Sequence, residues 1–171
     1  MGSDRRETGH GLALPLCVAG AVALLDQATK YLVRTSLDLH ERIALIDGYL
    51  ALLHGRNPGM GFGVLSDAPI PHQWAVLSFV AMAASVAIVF FLRGLPARPR
   101  APRVAMGLIL GGAAGNLVDR VRLGYVTDFV HLSWRGYSWP DFNVADSAIT
   151  VGAVLLVVHS LLGERQAQEC S

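Results

Sequence analysis

Two aspartates, Asp128 and Asp146, are the residues of this chain best suited to do chemistry. Each stands at the mouth of a hydrophobic segment, where a carboxylate is costly to place and a functional site is the default reading. Taken singly, each has a bland explanation. Asp146 opens a helix, where aspartate is a common cap, and Asp128 lies between Thr127 and Phe129 as an ordinary loop acid. Taken together they suggest an aspartyl dyad, because no other arrangement rivals them. Ser36, Ser66, Ser78 and Ser85 lack a lysine or histidine at a convincing spacing, and the six histidines are scattered. Cys17 lies in an apolar run and Cys170 in a polar tail, so neither a disulfide nor a metal-type Cys/His spacing is expected. No metal and no cofactor is assigned.

Other ionisable residues sit where hydrocarbon surrounds them. Asp26 and Lys30 are four apart, so they share a helix face and can pair; such a pair helps dock the first helix. Asp119 and Arg120 are adjacent and point in different directions on a helix, so each needs its own partner.

The elements that must hold these residues are read from composition. The 171 residues have room for one domain, residues 1–171, and are 53% hydrophobic and only 16% charged. A mean hydropathy of +0.44 is too apolar for an ordinary soluble domain. A net charge of +1 gives no electrostatic reason to expect nucleic acid. Four apolar segments stand out, at about 11–33, 74–92, 104–122 and 147–162. The second is long enough, at about 1.5 Å per residue, to cross a hydrocarbon core of roughly 30 Å. A cleaved signal peptide is the rival reading of the first, since Arg5 and Arg6 precede an apolar stretch and Leu14-Pro15-Leu16-Cys17 hints at a lipid-attachment site. Leu16 is too bulky for that role, and the apolar run continues past it. Gly107, Gly111 and Gly115, four apart, let helix backbones approach closely. This close packing offers a groove between helices for acyl chains.

Residues 35–73 carry short alternating runs that suit strands, closed by the turn-rich Asn57-Pro58-Gly59-Met60-Gly61-Phe62-Gly63. Residues 124–145 read as a loop whose aromatics suit a membrane interface. Arg93, Arg98, Arg100 and Arg103, with no acid between them, mark the loop between spans two and three as cytoplasmic. Both termini are then cytoplasmic, and the two larger loops lie outside. Arg120 and Arg122 fall at an outer end, against that rule. An arginine kept there is expected to hold a partner.

Five motifs then occur in order: Asp26-Gln27-Ala28-Thr29-Lys30, the Asn57–Gly63 run, Gly111-Gly112-Ala113-Ala114-Gly115-Asn116-Leu117-Val118-Asp119-Arg120, Gly124-Tyr125-Val126-Thr127-Asp128-Phe129, and Phe142-Asn143-Val144-Ala145-Asp146. In this the chain resembles the bacterial lipoprotein signal peptidases, also called signal peptidase II. The resemblance implies an all-α membrane protein of four transmembrane helices, with a small extracytoplasmic β-cradle between spans one and two, at about 35–73. It implies an aspartic endopeptidase of the bacterial inner membrane that cuts signal peptides from prolipoproteins, just before a cysteine carrying diacylglycerol. By the family pattern Asp128 and Asp146 are the catalytic pair. Asn57, Gly59, Asn116, Arg120 and Asn143 line the site, and Asp26, Lys30 and Asp119 support it. Pro58 within the Asn-x-Gly motif stiffens the loop and leaves Asn57 and Gly59 in place. The expected partners are the diacylglyceryl-prolipoprotein and membrane lipid, with the chain itself a monomer. Such a pair shares one proton near neutral pH. One member deprotonates water while the other protonates or polarises the scissile amide. The helix N-terminus favours the charged form of Asp146 and so leaves the proton with Asp128, although the two titrate as a pair. The other class left open is a non-enzymatic small transporter or lipid-binding protein, which needs acids along a path inside the membrane.

Overall fold

Helices occupy all four apolar segments. The computed structural model describes residues 10–59, 73–94 and 100–169. In chain order the elements are α1 (His10–Ser36), β1 (Arg42–Ile46), β2 (Leu50–Asn57), α2 (Gln73–Gly94), α3 (Ala101–Leu123), β3 (Val126–Trp134), β4 (Tyr137–Ser138) and α4 (Val144–Glu169). Leu12–Ser36, Ala101–Leu123 and Val144–Leu162 are long and apolar enough to cross a membrane. In α2 the corresponding apolar stretch, Ala75–Phe90, is shorter. Large apolar side chains face outward along the bundle, among them Leu24, Phe79, Phe90 and Val157, each more than half exposed. In water such a surface would aggregate; in lipid it is the ordinary outer face of a membrane protein.

The bundle is organised on α3, because its glycines let two neighbours approach at backbone distance. A Cβ at Gly107 would stand 2.7 Å from the Pro15 carbonyl oxygen, and one at Gly111 would stand 2.6 Å from that of Ala19. The stripe expected to leave a groove for acyl chains is therefore filled by α1. Gly112 faces the other way, 2.4 Å by the same measure from the Ala145 carbonyl oxygen of α4, and Gly152 of α4 answers it against Ala105. Leu92 of α2 packs on Met106 and Leu110 of α3 to form a small apolar core.

A four-stranded antiparallel sheet, in the order β1-β2-β3-β4, stands at one end of the bundle. Two of its strands come from 42–57, but the other two come from 126–138, where the sequence reads as an aromatic loop. The strand was hard to see because Val126, Thr127, Asp128 and Phe129 are all buried, which erases the two-residue alternation of a half-exposed strand. Within the Asn57–Gly63 run, residues 60–63 lie outside the described residues, as do residues 95–99 of the basic loop.

Candidate active site

The two aspartates meet because α3 and α4 each end abruptly beside the sheet. α3 closes at Gly124, whose φ of 78° is a left-handed cap, with its N–H donating to the Arg120 carbonyl at 3.0 Å. The chain turns back at once into β3. Asp119, in the last turn of α3, accepts the Thr127 N–H at 3.0 Å and so fixes the residue next to Asp128. The pairing of Gly55 with Asp128 then sets β2 against it.

α4 begins with a reciprocal cap. The Asn143 side-chain oxygen accepts the Asp146 N–H at 3.0 Å, and the Asp146 carboxylate accepts the Asn143 N–H at 3.2 Å. Between them, the Ala145 N–H donates to Asp26 of α1 at 2.9 Å. Three otherwise orphaned groups at a buried helix start are thereby satisfied. Asp146 is a capping residue after all, and the cap occupies only one of its carboxylate oxygens.

Among the described residues every oxygen of the two carboxylates has one donor, and each comes from an asparagine. Asn143 Nδ2 donates to Asp128 Oδ1 at 2.8 Å, and Asn57 Nδ2 donates to Asp128 Oδ2 at 2.9 Å. Asn116 Nδ2 donates to Asp146 Oδ1 at 2.8 Å, and the Asn143 backbone holds Oδ2. Asn143 thus touches both acids. These are the only three asparagines in the sequence. Gly59 acts one step further out: its N–H donates to Asn57 Oδ1 at 2.9 Å, and its φ of 115° is a conformation that favours glycine.

Behind the pair lies a dry cluster of charge. Lys30 Nζ reaches Asp26 at 2.8 Å, Asp119 at 3.3 Å and the Asn116 side-chain oxygen at 2.8 Å, so all three ammonium donors are used. Lys30 and Asp26 are fully buried and Asp119 nearly so. Gly115 leaves the space that the Asp26 carboxylate occupies, since a Cβ there would stand 2.5 Å from its Oδ2. Three residues outside the expected set complete the cluster. Gln27 donates to Asp119 at 3.0 Å and to the Gly115 carbonyl at 3.0 Å. Arg34 pairs with Asp119 at 3.6 Å and donates to the Thr127 hydroxyl at 3.0 Å. Gln27 and Thr127 stand inside the motifs, whereas Arg34 lies one helical turn beyond Lys30 on the same face.

A cavity of about 850 Å³ opens over the two carboxylates. Its wall takes in Asn57, Asp128 and Asp146 together with apolar surface from Phe142, Ile149 and Val151. Of the residues expected to line the site, Asn57 does so. Asn116 and Asn143 are buried behind the aspartates, and the wall formed by the described residues includes neither them, Gly59 nor Arg120. Arg120 is half-buried; its Nη1 donates to the Asn116 carbonyl at 3.4 Å, and among the described residues its Nε has no hydrogen-bond partner. Among the described residues it forms no salt bridge, although its charge acts on Asp146, Asp128 and Asp119. The partner expected for this arginine is not a fixed acid.

The electrostatics follow from that arrangement. Burial pushes the Asp128 carboxyl up to about 6, and the nearby charge of Asp146 adds to the rise. Hydrogen bonds from Asn57 and Asn143, with the charge of Lys30, pull the other way and lose. An acid held by neutral amides keeps an exchangeable proton close to neutral pH.

An apolar helix bundle, a carboxylate pair opening on a cavity, and donors that orient the pair without neutralising it are the equipment of a membrane-embedded aspartyl hydrolase. Comparison with known proteins makes this specific. The signature of Signal peptidase (SPase) II matches residues 18–162. A lipoprotein signal peptidase of Symbiobacterium thermophilum is 40% identical over 153 residues, covering 90% of this chain and 97% of that one. One from Geobacter sulfurreducens is 43% identical, over 84% and 88% of the two chains. A bacterial membrane enzyme solved by the in meso method at 2.3 Å superposes with a TM-score of 0.75 at 30% identity, over 86% of this chain and 87% of that one. The chain belongs to the signal peptidase II family of aspartic endopeptidases.

Proposed function

We propose that this protein removes signal peptides from diacylglyceryl-modified prolipoproteins, with Asp128 and Asp146 as its catalytic pair. The observation that carries the reading is the single Asn143 that touches both carboxylates at the floor of one cavity, in a chain of this family. Asp146, at a helix N-terminus, holds the negative charge and takes a proton from water. The water oxygen adds to the scissile carbonyl carbon while Asp128 gives its proton to the carbonyl oxygen. Collapse of the tetrahedral intermediate returns one hydroxyl proton to Asp128 and breaks the C–N bond, and the departing amine takes the proton gained by Asp146. Asn57 meets the substrate on the cavity wall, while Asn116 and Asn143 act from behind, by orienting the acids. Arg120, half-buried beside the pair, contributes its positive charge to the site. Asp26, Lys30 and Asp119 hold the frame.

In this reading all four helices span the inner membrane, both termini are cytoplasmic, and the sheet rests on the outer leaflet as a cradle. The protein works as a monomer. The apolar part of the cavity along α4 receives lipid, and acyl chains set the depth of the scissile bond. Each buried CH₂ contributes roughly 0.8 kcal/mol, so two chains anchor firmly where one is marginal. The test gives purified enzyme the same precursor with and without diacylglycerol on its cysteine. Cleavage of the lipidated form alone is expected; equal rates on both point instead to a general signal peptidase.

A further inference from the structure

Between β4 and α4 runs a five-residue linker, Trp139–Asn143, and its last residue is the one that touches both carboxylates. The linker must therefore be held in place. Its backbone is tied to β3 at two points. Trp139 N–H donates to the Leu132 carbonyl at 2.8 Å, and Phe142 and Val130 exchange hydrogen bonds at 3.1 and 2.9 Å. Between these points stand Pro140, which has no N–H to give, and Asp141. Burial does not hold this stretch, since Trp139, Pro140 and Asp141 are all exposed. What holds it is a side-chain contact: His131 Nδ1 on β3 meets Asp141 Oδ1 at 2.6 Å. His131 lies three residues past Asp128, and Asp141 two residues before Asn143, so the contact spans both arms of the site.

We infer that the His131–Asp141 contact is a clasp that positions Asn143, and through it both aspartates, for the reaction. This rests on the reading of Asp128 and Asp146 as the catalytic pair. Neither residue of the clasp touches the reacting atoms; both are positioning residues. The mechanism is geometric. Asn143 has only its amide and one N–H with which to hold two acids, and a displacement of about 1 Å in a positioning group can cost as much as about 100-fold in rate. Asp141 stands on the cavity wall and His131 does not, so His131 is the member whose loss acts on turnover without removing a wall contact.

The test uses the full chain in detergent. Asp141→Ala and His131→Ala are each expected to lower kcat about tenfold, with KM of His131→Ala within about twofold of wild type. Asp141→Asn, which keeps an acceptor oxygen for Nδ1–H, should recover to within about threefold of wild type, and the double alanine variant should fall about tenfold, not a hundredfold. Amide exchange at Phe142 should quicken in the alanine variants, a readout that needs no turnover. Unchanged kcat in both alanine variants, multiplied losses in the double variant, failure of Asp141→Asn to recover, or unchanged exchange at Phe142 would each overturn the clasp. Asp128→Asn runs in the same assay. Activity there sinks the dyad reading, while exchange at Phe142 still decides the clasp.

Discussion

Four aspartates lie within a few residues of contact here, and two different chemistries surround them. Asp26 and Asp119 face Lys30 at 2.8 and 3.3 Å, with Arg34 beyond. Asp128 and Asp146 face amides. A buried carboxylate beside a cation becomes a fixed strut, because removing either partner leaves the other stranded. A carboxylate held by neutral amides is oriented just as firmly, yet among the described residues no ion pair fixes it. The cluster therefore builds the site, and Asp128, pushed up by burial, is left to exchange a proton near neutral pH. The two groups share one residue, Asn116, which accepts from Lys30 and donates to Asp146.

The comparison is broken most severely at Lys30. Lys30→Met strands two buried acids, at a cost of about 3–5 kcal/mol, comparable to the whole stability of many domains. The expected outcome is loss of folded protein, measured as yield and melting temperature after detergent extraction. Adding Asp26→Asn to the same chain should restore part of it.

A smaller effect sharpens the other side. The folded-state value of about 6 for Asp128 lies above its ordinary 3.8, so the fold favours the protonated form. That contribution is fully present below 3.8 and is lost as pH rises through about 6. Asp128→Asn removes the titration. Its melting temperature relative to wild type should therefore be higher at pH 8 than at pH 4. An offset that does not change with pH would contradict the assignment.

Much of this was legible in the sequence, because the dyad and its neighbours stand in five ordered motifs and the helices in unbroken apolar runs. What escaped has physical causes. β3 is buried on both faces at its start and pairs with β2, some seventy residues away, so no local period announces it. The glycine stripe signalled close packing but not which helix fills it. Asn116 and Asn143 were expected on the wall and lie beneath it, since residue type does not reveal depth. A cue was available all the same: the chain has only three asparagines, and a residue kept that scarce and placed in three separate motifs suggests one shared task. His131 and Asp141 are ten apart on either side of a turn, and only the register brings them together.

The most direct test sets one acid from each group against the other. Asp128→Asn and Asp26→Asn are purified, normalised to folded protein, and given the lipidated precursor. An amide at position 26 can still accept the Ala145 N–H that caps α4, whereas one at position 128 has no proton to give. The account predicts that Asp26→Asn yields less folded protein but cleaves within about threefold of wild type per folded molecule, and that Asp128→Asn folds and is slower by at least about 10³-fold. Near-normal cleavage by folded Asp128→Asn would contradict it.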